Sequence, residues 1–234
     1  MRFLFDINHP AHVHFFRYPM QLLLEQKHEI IVTSRIKEMA VPLLKELGVK
    51  HIILSTHKQK GLLGLAHELI QRDTALFRLV RDRKPCVLAA IGGTFVAHVG
   101  WVTRIPSVVF YDTENAKLQN MITYPFAGKI VVPNCYHGWT PGGRTVRYNG
   151  YHELSYLHPK RFSPDIEIAK RNGLDLNRDN FFIRTVSWQA NHDIGETGWN
   201  LDLLSKLIQW LSNQGKVHIS SEKPLPSNLA MHSY

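Results

Sequence analysis

Short apolar runs alternate with segments of helical periodicity over the first 135 residues of the chain. The runs are nearly continuous in apolar residues, as in strands that are covered on both faces of a parallel sheet. They are RFLFDI, HEIIVTS, KHIILS, CVLAAI, IPSVVFY and GKIVVP. Helices are predicted between them, in AHVHFFRYPMQLLLEQ, MAVPLLKELG, GLLGLAHELIQRDTALFRLVRDR and residues 94–104 and 115–126. The alternation predicts an α/β fold with a doubly wound, Rossmann-type parallel sheet.

The composition changes over residues 134–165, where Gly, Pro, Tyr and His are frequent and periodicity fades, apart from the strand-like TVRYN. We predict a first lobe over residues 1–150, a linker over 151–165 and the start of a second α/β lobe over 166–234. The second lobe has the patterns of helix, strand, helix and strand, in PDIEIAKRNGL, NFFIRTVSW, NLDLLSKLIQWLSNQG and KVHISS. So short a lobe cannot cover both faces of a sheet. We therefore expect either an unusually small second lobe or a truncated one, as in a fragment of a longer protein.

The chain of 234 residues carries a formal net charge of +9. This excess favours anionic partners such as nucleotides, sugar phosphates or acidic lipids, and it is compatible with a peripheral contact with a membrane. Nucleic acid is not expected, because the sequence has no run of five or more basic residues and no helix-turn-helix pattern. No apolar stretch approaches the ~20 residues of a membrane span. The N-terminal MRFLFDIN lacks the pattern of a signal peptide, which predicts a cytoplasmic protein.

Polar residues follow four of the predicted strands at the edge where ligands of open parallel sheets bind, beyond the carboxyl ends of the strands. They are Asp6, Asn8, His9 and His12 after the first strand, Gly92, Gly93 and Thr94 after the fourth, Asp112, Glu114 and Asn115 after the fifth, and Ser187, Asn191, His192 and Asp193 after the first strand of the second lobe. No single motif brings these residues together. The predicted topology does, and it predicts one site that both lobes share.

The stretch FDINHPAHVHFF places an aspartate, an asparagine and three histidines at the start of the first predicted helix. Pro10 suits a first helical turn, which places Asn8 or His9 at or near the N-cap. A helix N-terminus offers free N–H groups and partial positive charge, so we expect an anionic or hydroxyl-rich ligand there and a histidine held neutral beside it. His9 and His12 are predicted to act in the site, whereas His14 is predicted to pack. Asp6 is either a catalytic carboxylate or a structural one that fixes the loop.

A metal site is the rival interpretation of the same histidines. Their His-x-x-His-x-His spacing differs from the usual helical pair at i and i+4, and Cys86 and Cys135 are far apart in no ligand pattern, so no metal is expected. The two glycines of GGT permit either a close approach of ligand to backbone or simply a tight turn. No Walker loop, GxGxxG fingerprint or GxSxG elbow is present, and no cofactor is expected.

Several segments resemble known proteins. AAIGGTFVAHVGWVTRIPSVVFYDTENA is similar to the part of GT-B glycosyltransferases in which a Gly-Gly turn precedes a helix, a strand and an acidic residue. MRFLFDINHPAHVHFFR, YDTENAKLQN, YHELSYLHPKRFSPD and VSWQANHDIG resemble an archaeal and bacterial family of unknown function that is grouped with the GT-B glycosyltransferases and the UDP-N-acetylglucosamine 2-epimerases. The resemblance extends over essentially the whole chain.

The resemblance implies a two-lobed, GT-B-like fold in which the first lobe binds the acceptor and the second binds a nucleotide sugar. It implies a glycosyltransferase that uses a UDP-sugar and a sugar or lipid-linked acceptor, with Asp6, His9 and His12 in the first-lobe loop. His12 or Glu114 would take the proton of the acceptor hydroxyl. Two alternatives remain open, a sugar-nucleotide 2-epimerase and a non-catalytic sugar- or lipid-binding module. A truncated chain is expected to bind the donor poorly and to turn nothing over.

Overall fold

The computed structural model describes residues 1–35, 39–55, 61–186 and 198–233. The chain divides into two compact units, Met1–Phe162 and Ser163–Tyr234. The boundary between the units lies within the segment 151–165 that the sequence predicts as a linker.

The first unit is built on one sheet of seven parallel strands. They are β1 (Arg2–Ile7), β2 (Glu29–Arg35), β3 (Ile52–Ser55), β4 (Val87–Ile91), β5 (Ser107–Phe110), β6 (Lys129–Pro133) and β7 (Thr145–Tyr148). Their spatial order is β3-β2-β1-β4-β5-β6-β7, so the direction of the chain across the sheet reverses between β1 and β4. The Rossmann-type parallel sheet predicted from the sequence is confirmed, and TVRYN supplies its seventh strand.

Six α-helices accompany these strands in the described part of the first unit. They are α1 (Pro10–Glu25), α2 (Ala40–Glu46), α3 (Gly61–Arg83), α4 (Thr94–Thr103), α5 (Lys117–Thr123) and α6 (Leu154–Leu157). α2 ends before Gly48, whose φ of +66° lies in the left-handed region that terminates helices.

Successive residues of the central strands point into two different cores. Leu4, Leu88 and Ala90 pack with residues of α3 and α4 on one face of the sheet. Phe5 and Ala89 pack with residues of α1 and α2 on the other face. Burial on both faces explains the nearly continuous apolar runs, because neither side of a strand meets water. A rigid, doubly covered sheet of this kind fixes the loops that leave its carboxyl edge.

The chain after β7 folds back onto α1. His14 on α1 packs against the ring of Tyr156, with 5.3 Å between the ring centroids. The Tyr18 hydroxyl donates a hydrogen bond of 2.8 Å to the carbonyl of Arg161, whose guanidinium lies over the Tyr18 ring. These contacts hold residues 149–162 against α1, and the same segment brings a further histidine, His152, against Phe15 of that helix.

In its described residues, 163–186 and 198–233, the second unit contains two parallel strands, two α-helices and a 3-10 helix at Ala230–His232. The strands and α-helices are α7 (Ile166–Arg171), β8 (Asp179–Thr185), α8 (Leu201–Ser212) and β9 (Gly215–Ser221). The strands pair in register from Asp179 opposite Gly215 to Thr185 opposite Ser221. The core is small and consists of Leu204, Ile208, Val217, Ile219 and Leu229. The helix-strand-helix-strand order predicted from the sequence is confirmed.

Candidate active site

The loop between β1 and α1 forms one side of the candidate site. Of the two N-cap candidates, Asn8 and His9, the structure has His9 as the N-cap of α1, and Pro10 occupies the first turn. The Ala11 N–H donates to Nδ1 of His9 over 3.2 Å, and the Asn8 N–H donates to Nδ1 of His12 over 3.2 Å. Both imidazoles therefore use Nδ1 as an acceptor, and the proton of each neutral ring lies on Nε2. The two rings, with centroids 5.9 Å apart, are thus hydrogen-bond donors through Nε2.

Asp6 lies beneath this loop and is completely buried. The Thr33 hydroxyl donates to Oδ1 over 2.8 Å, and the Asn8 side-chain amide donates to Oδ2 over 2.8 Å. The buried Arg72 guanidinium donates to both oxygens at 3.2 and 3.3 Å and stacks on the Phe95 ring. Since a buried carboxylate with these partners cannot reach a ligand, its contacts favour the structural alternative for Asp6.

The turn between β4 and α4 explains its two glycines sterically. Gly92 has a φ of +58°, which favours glycine, and its carbonyl accepts a hydrogen bond from the Gln119 side-chain amide. A Cβ on Gly93 would lie 2.6 Å from Val96 and 2.7 Å from Ala90. The Thr94 hydroxyl shares a buried hydrogen bond of 2.8 Å with Thr123. The turn is therefore a tight packing feature, and it lies at the same edge as the β1–α1 loop.

The loop after β5 carries the exposed carboxylates of the site. Glu114 is exposed and accepts a hydrogen bond of 2.7 Å from the backbone N–H of His137, while Asn115 is also exposed. Asp112 Oδ2 lies 3.0 Å from Nδ1 of His152, and the Thr113 hydroxyl donates to Oδ1 over 3.0 Å. The hydrogen bond from His152 lowers the pKa of Asp112, although burial partly opposes it. Asp112 is therefore ionised at neutral pH.

Strand pairing places these loops side by side. Asp6 on β1 is opposite Ala90 on β4, and Ile91 on β4 is opposite Phe110 on β5. Neighbouring strands lie ~4.8 Å apart, so the ends of β1 and β5 are separated by roughly 10 Å. Phe15 of α1 contacts both the Phe110 ring, at 5.0 Å, and the His152 ring, at 4.5 Å between centroids.

The structure thus brings together the first-unit residues that the sequence predicts for the site. Asn8, His9 and His12 lie beside Gly92, Gly93 and Thr94, which lie beside Asp112, Glu114 and Asn115. The second-lobe candidates Ser187, Asn191, His192 and Asp193 lie outside the described residues. The shared site between the lobes therefore stays a prediction.

Sequence reasoning did not select His152. It lies in the segment predicted as a linker, where no strand end marked it as a site residue. The available signal was the motif YHELSYLHPKRFSPD, which contains His152 and carried part of the family resemblance. Within residues 1–35, 39–55, 61–186 and 198–233, no group of three or more His, Cys, Asp or Glu side chains is arranged to hold a metal ion.

The chain matches the family described as "Protein of unknown function (DUF354)" over residues 1–220. It belongs to that family. No curated protein matches the chain. In the part of this DUF354 chain that the structure describes, no helix is long and apolar enough to cross a membrane.

Solved structures show the GT-B-like fold of the chain. MurG from Acinetobacter baumannii superposes with a TM-score of 0.55 and 13% identity, over 94% of this chain and 60% of MurG. UDP-N-acetylglucosamine 2-epimerase from Rickettsia bellii superposes with a TM-score of 0.66 and 12% identity, over 100% of this chain and 68% of the epimerase. The spinosyn rhamnosyltransferase SpnG complexed with thymidine diphosphate superposes with a TM-score of 0.58 and 13% identity, over 100% of this chain and 70% of SpnG. At these identities the likeness extends to the fold alone.

Proposed function

We propose that the chain is a nucleotide-sugar-dependent glycosyltransferase of the inverting type whose first unit binds the acceptor. One observation carries this proposal. At the ends of β1, β4 and β5, two imidazole N–H donors at a helix N-terminus lie on the same sheet edge as exposed carboxylates. Transfer of a sugar to a hydroxyl needs hydrogen-bond donors for the oxygens of the reacting groups. It also needs a carboxylate or imidazole that removes the hydroxyl proton.

The nucleotide sugar is the proposed donor substrate, and a sugar or lipid-linked molecule is the proposed acceptor. Two structures of similar fold were solved with a nucleotide sugar or a nucleoside diphosphate, the Neisseria meningitidis 2-epimerase bound to UDP-N-acetylglucosamine and SpnG with thymidine diphosphate. The net charge of +9 favours a diphosphate-bearing ligand. Ser187, Asn191, His192 and Asp193 are proposed to contact the donor. Gly92, Gly93, Thr94 and Asn115 are proposed to border the bound substrates.

His12 and Glu114 are the proton acceptors that the sequence suggests. The hydrogen bond from Asn8 to Nδ1 of His12 favours a different role for the histidine. With the single proton of its neutral ring on Nε2, His12 is proposed to donate a hydrogen bond to an oxygen of the acceptor or of the diphosphate, and His9 is proposed to do the same. A donor of this kind stabilises charge that develops on oxygen in the transition state.

The test is turnover of UDP- and thymidine diphosphate-sugars with a panel of sugar and lipid-linked acceptors, followed by phosphorus NMR of the released nucleoside diphosphate. His12→Gln keeps an N–H donor near the position of Nε2, whereas His12→Leu removes it. We expect the glutamine variant to stay within roughly ten-fold of wild type and the leucine variant to lose on the order of 100-fold. His14→Gln, on the packed side of the same helix, is the matched control. Absence of transfer with every donor would refute the proposal.

A sugar-nucleotide 2-epimerase is the second candidate, favoured by the TM-score of 0.66 with the Rickettsia bellii enzyme. An epimerase converts the nucleotide sugar without an acceptor, so proton NMR of the anomeric signals in acceptor-free samples separates it from a transferase. Binding of a sugar or lipid without any turnover would support the non-catalytic module instead. The cytoplasmic location and a peripheral membrane contact belong to the same proposal, and co-sedimentation with vesicles of anionic lipid tests the contact.

A further inference from the structure

His152 is a buried histidine that the roles proposed so far leave unexplained. It is 6% exposed, and its ring lies against Phe15 of α1. Nδ1 is 3.0 Å from Asp112 Oδ2, and Nε2 is buried without a hydrogen-bond partner among the described residues. Because an ionised carboxylate only accepts hydrogen bonds, Nδ1 carries a proton. His152 therefore acts on Asp112 as a hydrogen-bond donor.

Asp112 shows the opposite exposure. Its side chain is 40% exposed, against 7% for that of His152, so the carboxylate faces the ligand edge while the imidazole stays inside. Tyr148 of β7 is another titratable group close to Asp112. Burial, followed by the charges of Asp112, Cys135 and Glu153, raises the pKa of Tyr148 to about 12, which keeps this phenol neutral. The neutral phenol therefore adds no further negative charge beside Asp112.

The other candidate bases of the first unit are less suited to accept a proton. His9 and His12 already use Nδ1 to accept backbone hydrogen bonds and are donors at Nε2. Asp6 is completely buried. Glu114 uses Oε1 to anchor the backbone of His137. Asp112 combines exposure, a fixed orientation and an ionised state.

We propose that the Asp112 carboxylate is the proton acceptor of this site and that His152 is the residue that positions it, an assignment that rests on the proposed transferase function. In the reaction step, the O–H bond of the acceptor breaks and its proton passes to an oxygen of Asp112. The hydroxyl oxygen forms a bond to the anomeric carbon of the nucleotide sugar. The bond from that carbon to the diphosphate oxygen breaks, and its electron pair leaves with the diphosphate. His152 keeps its Nδ1 proton throughout.

The positioning role can be tested without turnover, by carbon NMR titration of the Asp112 carboxyl in wild type and two variants. His152→Phe keeps the ring against Phe15 but removes the donor, and the pKa of Asp112 is expected to rise toward that of an ordinary aspartate. His152→Asn places an amide N–H near the position of Nδ1, and the pKa of Asp112 is expected to stay low. An unchanged titration in the phenylalanine variant would show that His152 does not set the state of Asp112.

The proton-acceptor role is tested on the transferase reaction itself. We expect Asp112→Asn to reduce kcat by about 100-fold or more with little change in KM. We expect His152→Phe to move the acidic limb of the kcat/KM profile to higher pH, and His152→Asn to restore it. A purely structural histidine would lower the folded fraction without moving that limb.

The outcomes separate this inference from the proposed function. Full activity of Asp112→Asn in an active enzyme overturns the inference and leaves the transferase proposal standing. If the wild-type chain turns over no nucleotide sugar, the transferase proposal fails and the proton-acceptor role fails with it. The titration then decides the positioning role by itself.

Discussion

Asp6 illustrates at the scale of a single residue how a polar side chain can build a site without touching its ligand. The carboxylate fixes the Asn8 side chain, and the adjoining Asn8 N–H in turn orients the His12 ring. The cost of burying Asp6 is offset by the guanidinium of Arg72 and the hydroxyl of Thr33. Removing any one partner leaves a buried charge without full compensation.

The ion pair between Asp6 and Arg72 gives a prediction for stability. Arg72→Met keeps most of the side-chain volume but leaves a buried carboxylate without its cation, which is expected to destabilise the fold by about 3–5 kcal/mol. Urea denaturation followed by circular dichroism measures the change. Arg78→Met, on an exposed position of the same helix, is the control and is expected to change stability by less than about 0.5 kcal/mol. Similar stabilities for the two variants would argue against an energetic role for the pair.

At the scale of secondary structure, the β4–α4 turn shows why the chain needs glycine beside the site. Ala90 and Val96 approach Gly93 so closely that a methyl group would have to displace them. We predict that Gly93→Ala destabilises the protein by about 1–3 kcal/mol through overpacking. Gly142→Ala is the matched control, because a Cβ there meets no atom within 4 Å, and it should leave the melting temperature nearly unchanged. Differential scanning calorimetry compares them, and equal melting temperatures would contradict the packing argument.

Three helices meet at His98, which gives the fold a pH-dependent contact. Nδ1 of His98 on α4 lies 2.8 Å from Asp73 on α3, and Nε2 lies 2.8 Å from the carbonyl of Ile122 on α5. Both partners only accept hydrogen bonds, so both are satisfied when the imidazole is doubly protonated. The hydrogen bond to Asp73 is the main cause that raises the pKa of His98, with the Ile122 carbonyl adding to it and burial opposing it.

The raised pKa of His98 determines the sign of the pH effect. A group whose folded pKa lies above its unfolded value stabilises the fold fully below the unfolded pKa, which is 6.5 for histidine, and this contribution is lost as pH rises through the folded pKa. We predict that wild type exceeds His98→Asn in unfolding free energy by about 1–2 kcal/mol below pH ~6, and that the difference shrinks in alkaline solution. Urea titrations across this pH range measure it. Asp73→Asn should remove most of the same pH dependence, and a difference that grows with pH would contradict the assignment.

The sequence predicted the elements better than it predicted the site. Buried strands leave apolar runs and helices leave a period of 3.6, so six strands of the sheet, the strand-like TVRYN and a first helix that begins near Asn8 or His9 followed from local patterns. The partners of the polar residues did not follow. Arg72 lies in the middle of an amphipathic helix, and His152 lies in a segment without periodicity, yet both contact strand-end carboxylates through tertiary packing. Periodicity encodes which face is buried, but it does not encode which side chain crosses from one element to another.

On the scale of the whole molecule, the chain builds separate cores in its two units. The two clusters of the first unit fill both faces of a seven-stranded sheet. Among its described residues, the second unit buries a cluster of five apolar residues beside two strands, and Phe182 remains 59% exposed. Since hydrophobic stabilisation grows with the apolar area removed from water, the second unit is expected to open more readily than the first.

This difference predicts where a core substitution acts. Ile219 is completely buried in the second unit, and Ile219→Ala is expected to cost about 2–5 kcal/mol, because it removes three carbon atoms and leaves a cavity. Hydrogen exchange followed by mass spectrometry should then show faster exchange of the β8 and β9 amides, with no change in β1 and β4. Leu203→Ala, at a half-exposed position of α8, is the control and should leave both units as in wild type.

The core of the second unit shares no residue with the two clusters of the first unit. The first-unit sheet, whose strands lead into the loops of His12 and Asp112, should therefore keep its protection from exchange. Faster exchange throughout residues 1–162 would instead mean that the two units unfold as one cooperative structure.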